Sequence, residues 1–194
     1  MPQATLRTDR LELVPLAEDH LEHEVELDSD PEVLRYLLPR PRTREQVVTQ
    51  HAWRVAQAGV VDGLGLWAGF LRGEPERFVG LWMLQPPHGP SQQFVAREAD
   101  LGYRLLRRWW RQGYGSEGSR ALLRYGFEDL GLARIFAQTM TVNRASRATM
   151  EKLGMRYVRT FHEDHDEPLP GTEEGEVEYE LLRADWLAGA RPRP

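Results

Sequence analysis

The sequence predicts an α+β domain, and three observations carry the prediction. At 194 residues the chain fits the soft prior of ~150 residues for one domain, and folding at that size buries roughly 70% of the unfolded surface. The middle of the chain holds three apolar runs separated by Gly- and Pro-rich turns. From Gly113 onward, by contrast, helical and extended patterns alternate.

Taken in order, residues 10–15 alternate as a strand does, and residues 16–27 carry early acids with apolar residues at helical spacing. A second helix is predicted over 44–58. Strands follow at 65–71, 78–84 and 95–105, forming an antiparallel meander. After a Gly-rich turn come a helix at 116–130, a strand at 133–139, a short helix at 144–153 and strands at 155–161 and 176–182, with βαβ-like crossovers among them. Gly131 and Gly154 stand where a helix wants a C′ residue free to turn left-handed. The proline clusters Pro39/Pro41, Pro86/Pro87/Pro90 and Pro168/Pro170 read as loops inside one domain over 1–194, with a core at about 8–186.

Composition removes several functions. Without cysteine there is no disulfide framework, no thiolate metal site and no acyl-cysteine intermediate. The longest apolar stretch, 63–71, is far short of the ~18 residues of a membrane helix, and the N-terminus has no apolar signal region, so a cytoplasmic protein without membrane contact is expected. The net charge of −5 is uneven: residues 162–180 hold nine of the 30 acids and no Lys or Arg, leaving 21 acids against 25 bases elsewhere. No basic tail or dense basic run calls for nucleic acid.

The sharpest local signal is Trp110-Arg-Gln-Gly113-Tyr-Gly115-Ser-Glu-Gly118, between a strand and a helix. Glycines there allow a tight turn with bare N–H groups, and the helix adds its positive end, which together make a diphosphate cradle. The same segment matches the dinucleotide pattern G-x-G-x-x-G. That pattern belongs after the first strand of a parallel sheet and wants an acid ~20 residues on, where this chain has Gln138 and Thr139. A Walker loop is excluded, because no Gly-Lys-Ser/Thr follows.

In this order and spacing the segments resemble the GCN5-related N-acetyltransferases (GNAT), in the branch of the ribosomal-protein alanine acetyltransferases. Leu6-Arg-Thr-Asp-Arg-Leu resembles that branch's opening LRTERL, and Gly113 and Gly115 match the small positions of its Q/R-x-x-G-x-G/A loop. Trp110 stands where the pattern has Gln or Arg, and Arg111 where it takes a small residue. Asp100-Leu-Gly-Tyr-Arg-Leu105 is similar to the E-I-G-Y-x-L strand, and Asn143-x-x-Ser146 through Gly154-Met155 to the N-x-x-S…G-F/M signature. The resemblance implies the GNAT fold, a mixed and mostly antiparallel sheet flanked by helices, with acetyl-coenzyme A as co-substrate and an amine acceptor. It further implies that Leu101, Tyr103, Arg108, Arg111, Gln112, Gly113, Tyr114, Gly115, Ser116, Asn143 and Arg147 meet the coenzyme.

Attack of an amine on a thioester needs a base and a donor for the leaving sulfur. Alternation over 95–105 puts Glu98, Asp100 and Arg104 on one strand face, so either carboxylate is a candidate base, with a salt bridge to Arg104 as the competing role. Ser146 is the candidate donor, although Asn143 and Ser146 also suit an ordinary helix start. The cluster from His162 to Glu167 has the composition of a metal site but lacks helical i, i+4 histidines, so no metal is expected. As an acidic loop on the acceptor side it would favour cationic amines: a protein N-terminus or a small amine. A non-catalytic acyl-coenzyme A sensor is the competing function, and the sequence leaves a homodimer open.

Overall fold

The computed structural model describes residues 2–57, 61, 63–163 and 167–189. One eight-stranded sheet runs through it in the order β1-β2-β3-β4-β5-β6-β8-β7. The strands are β1 (Leu6–Arg7), β2 (Leu11–Pro15), β3 (Gly65–Leu71), β4 (Glu74–Gln85), β5 (Glu98–Leu105), β6 (Arg134–Met140), β7 (Arg156–Phe161) and β8 (Glu176–Leu182). The helices are α1 (Leu21–Asp28), α2 (Pro31–Leu34), α3 (Arg44–Gln57), α4 (Tyr114–Arg124), α5 (Arg144–Lys152) and α6 (Arg183–Gly189). The predicted α+β class and both late crossovers are present, with α4 linking β5 to β6 and α5 linking β6 to β7. Residue 58, the last of the predicted second helix, lies outside the described residues.

Several boundaries differ from the sequence reading for local reasons. Strand β5 starts three residues later than predicted, because Arg97 turns left-handed (φ 66°) and the Glu98 amide bonds back to Val95. The helix predicted over 16–27 opens as a single 3₁₀ turn, Glu18–His20, before α1. Helix α4 ends in a π-helical stretch, Tyr125–Asp129, where the Leu130 amide reaches the Tyr125 carbonyl at 3.1 Å. Helix α2 was not predicted, although Asp30 caps it through the Glu32 amide and Pro31 opens it.

The pairing of β5 with β6 positions the site. Among the described residues it is the one parallel pairing in the sheet, and it holds only Glu98↔Arg134, Ala99↔Ile135 and Asp100↔Phe136. Beyond Asp100 and Phe136 the two strands continue unpaired with each other, leaving a cleft between them. On the α4 side of the sheet, Trp67, Trp82 and Phe127 are fully buried, and each Leu-sized side chain buried there contributes roughly 1.5–3 kcal/mol. Helix α4 lies directly on Trp82: a Cβ on Gly118 would come within 2.4 Å of that ring. On the opposite side, buried pairs hold α1 and α3 together and fasten α1 to β5, with Arg104 donating to Asp28 at 2.6 Å and Arg54 to Glu24 at 2.9 Å.

Candidate active site

The chain leaves β5 through a 3₁₀ turn at Arg107–Trp109 and enters the glycine loop, where Trp110 donates its indole N–H to the Leu105 carbonyl at 2.8 Å. Arg111 (φ 60°) and Gly113 (φ 88°) are both left-handed. Among the described residues, no backbone N–H from 111 to 116 has a hydrogen-bond partner; the first bonded amide is that of Glu117, to the Gly113 carbonyl at 3.0 Å. Six free donors at the start of an eleven-residue helix form an anion nest, so this segment fits the diphosphate of acetyl-coenzyme A.

The loop residues divide their work differently from the sequence expectation. Gly113 is needed for its backbone angle. Gly115 is needed for close packing, since its Cβ would come within 3.0 Å of the Tyr103 ring and would not enter the cradle. Tyr114 is buried under Arg10 and offers only its amide, while the Ser116 hydroxyl is bonded to the Gly113 carbonyl at 2.9 Å. The Gln112 side chain donates to the Arg108 carbonyl at 2.8 Å. Arg108 itself is ion-paired with Glu26 on α1, and Arg147 is turned to the Thr141 carbonyl and the Tyr179 hydroxyl. Of the three arginines expected at coenzyme phosphates, Arg111 alone has a side chain without a partner among the described residues.

Sequence reasoning gave no role to the residues that hold the cradle. Arg10 donates to the Gln112 carbonyl at 3.0 Å and to Glu117 at 2.7 Å, and Thr8 donates to the same carboxylate at 2.6 Å. The LRTDRL opening is therefore a clamp on the loop more than a hundred residues away. Burial pushes the Glu117 carboxyl up, but the bonds from Thr8 and Arg10 outweigh it and hold it below the ordinary range. A depressed folded value gives stability that is present above the unfolded pKa and lost as pH falls through the folded one. We expect Glu117→Gln to cost about 1–3 kcal/mol at pH 7 and progressively less towards pH 3, measured by denaturant unfolding.

The two candidate bases separate cleanly. Glu98 pairs with Arg134 at 2.8 Å, and that guanidinium also binds Glu178 and Glu180. Burial would lower Arg134, but the three carboxylates raise it above its usual value. Asp100 is buried, 7% exposed, and accepts one hydrogen bond, from Gln92 to Oδ2 at 3.0 Å; Oδ1 accepts none among the described residues. Burial raises its pKa, with the Gln92 bond and His88 opposing and Glu178 adding to the rise. The salt bridge to Arg104 considered as an alternative role is not formed, because Arg104 is taken by Asp28.

Across the cleft, Asn143 caps α5 by accepting the Ser146 amide at 3.2 Å and donates to Thr139 at 3.0 Å, so one end of its side chain holds the helix and the other ties it to β6. Leu101, the first residue of β5 past the paired stretch, is buried. Tyr103 turns its hydroxyl towards those of Ser146 and Thr149, and burial raises its pKa.

The acidic segment is less open than its composition suggests. Glu178 and Glu180 lie in β8 and are paired with Arg134, Arg156 and Arg159, Glu167 pairs with Arg40, and Glu163 bonds to Ser91. Arginines from outside the segment thus neutralise charge that a count along the chain leaves uncompensated. Asp164, His165 and Asp166 lie outside the described residues. Among the described ones no group of three ligand-type side chains could hold a metal ion, and no helix is long and apolar enough to cross a membrane.

Residues 10–156 match the family model described as Acetyltransferase (GNAT) domain, and the chain belongs to that family. It is 44% identical over 193 residues to the FsC-acetyl coenzyme A-N(2)-transacetylase of Aspergillus fumigatus, covering 98% of this chain and 81% of that one. Its fold is shared with a GNAT-family acetyltransferase from Bacillus anthracis (TM-score 0.74, 24% identity, 93% and 99% of the two chains covered). The fold also matches spermidine N-acetyltransferase from Vibrio cholerae in complex with CoA and spermine (TM-score 0.75, 14% identity, 93% and 99% covered). The protein is an N-acetyltransferase that uses acetyl-coenzyme A, which sets aside the sensor reading.

Proposed function

We propose that this protein transfers the acetyl group directly to a primary amine in a ternary complex, with Asp100 as the base. The observation that carries the reading is a buried carboxylate with one unengaged oxygen, placed where β5 and β6 part and on the strand that runs into the amide cradle. When bound, acetyl-coenzyme A supplies a thioester carbonyl open to attack by a neutral amine. Burial raises the Asp100 pKa, which makes its ionised form the stronger base, and that carboxylate takes the amine's proton as the N–C bond forms. The C–S bond breaks in turn, and the sulfur needs a proton. Tyr103, kept protonated by burial, and Ser146 beside it supply one from the α5 side. Glu98, held by Arg134, has no part in proton transfer.

No cysteine is present, so an acyl-cysteine enzyme is not an available route. The N(2) locant in the fungal relative's name denotes one numbered nitrogen of its acceptor, and supports a small-molecule amine here ahead of a protein N-terminus. The test is thiol release and product mass over a panel of small amines and N-terminal peptides, followed by initial-velocity kinetics with the best acceptor. Intersecting lines are expected. Parallel lines with a protein mass increased by one acetyl group would overturn direct transfer, and turnover with peptides alone would overturn the acceptor class.

A further inference from the structure

Gln92 lies in the loop between β4 and β5, behind Pro86, Pro87 and Pro90, which fix the backbone on its approach. Its own amide bonds to the Gly89 carbonyl at 3.0 Å, and its side-chain Oε1 accepts from the His88 and Gly89 amides at 2.8 and 3.0 Å. With the oxygen end occupied by two backbone donors, Nε2 must face the other way. Nε2 donates to Asp100 Oδ2 at 3.0 Å and to Gln138 Oε1 at 2.8 Å, which uses both of its hydrogens. Asp100 is the last residue of β5 that pairs with β6. Gln138 lies two residues past its β6 counterpart, Phe136, and donates onward to Glu178 at 3.0 Å. Gln92 therefore bridges the two strands over the first unpaired step of the cleft.

We propose that Gln92 is the positioning residue for Asp100, engaging Oδ2 so that Oδ1 alone is presented to the acceptor amine, and fixing Asp100 relative to β6. The inference rests on Asp100 being the base. The charged groups around Asp100 come from several elements: His88 from the same loop, Glu178 from β8 with Arg134 and Arg159 bound to it, Glu98 tied to Arg134, and Arg104 tied to Asp28. The Gln92 hydrogen bond favours the ionised carboxylate and acts against the burial.

Gln92→Leu keeps the approximate volume and removes the donor. In the ligand-free variant, the carbon-13 titration of the Asp100 carboxyl should move up by about one pH unit, and the acidic limb of the rate profile should move with it. The turnover number should fall on the order of tenfold, while coenzyme affinity stays at the wild-type value. Should Gln92→Leu fail to fold, Gln92→Met matches the unbranched length and is read the same way. An unchanged Asp100 titration and rate profile in a folded variant overturn the proposal. Asp100→Asn separates the two levels: if it retains the wild-type rate profile, the base assignment falls, whereas if it abolishes the acidic limb and Gln92→Leu leaves the titration in place, only the role of Gln92 falls.

Discussion

Asp100→Asn is expected to lower the turnover number by about 10²–10⁴-fold and to erase the acidic limb of the rate profile, with coenzyme affinity unchanged. The affinity should hold because the amide cradle, residues 111–116, is built and clamped by Thr8, Arg10 and Glu117, none of which touches Asp100. The same substitution should stabilise the protein at alkaline pH. Burial raises the folded pKa of Asp100 above its unfolded value, so the group's contribution to stability is fully present below the ordinary aspartate pKa of ~3.9 and is lost as pH rises through the folded value. The amide carries no such penalty, and it can still accept from Gln92. Melting temperatures should therefore favour the variant at pH 8, by about 2–4 °C for each kcal/mol of penalty removed, with the gap closing towards pH 4. Glu98→Gln gives the contrast: it weakens the cluster around Arg134 and should cost stability while leaving the turnover number within a few-fold. A Glu98 variant with the larger loss of rate would exchange the two roles.

The strands other than the two-residue β1 were legible because alternation and turn chemistry lie within a few neighbouring residues, and the glycine loop was legible because a nest is a property of consecutive backbone groups. The choice between Glu98 and Asp100 was not. It depends on Arg134 reaching Glu98 from 36 residues away and on Gln92 folding back from a proline-rich loop. The same limit applies to Asp28 and Glu24, to which the sequence assigns no partner and which are fully buried against Arg104 and Arg54. Counting charges along 162–180 likewise misses that Glu167, Glu178 and Glu180 are paired with arginines on α3's approach, β6 and β7. The π-helical stretch after α4 has no local signal: helical spacing simply continues into it from 116 to 130.

Gly113→Val should weaken coenzyme binding on the order of 10²-fold, and for a reason that separates it from its neighbour Gly115. At Gly113 there is room, since a Cβ would meet only the end of the flexible Arg10 side chain at 3.3 Å, but the backbone is left-handed at φ 88°. A β-branched residue is held there at a cost of about 1–2 kcal/mol, or else escapes by rotating the Gln112–Gly113 peptide. Rotation would re-aim the free amides on either side of it, because a run of successive N–H donors keeps its directions only while each backbone angle is kept. At Gly115 the angle is ordinary and the space is tight, with Tyr103 3.0 Å from a Cβ, so Gly115→Ala should move Tyr103 and slow turnover while the cradle still binds. Calorimetry with coenzyme A on the two variants measures the difference directly. Wild-type affinity in Gly113→Val, together with a large loss in Gly115→Ala, would place the diphosphate against the Tyr103 side of α4 and remove residues 111–113 from the coenzyme site.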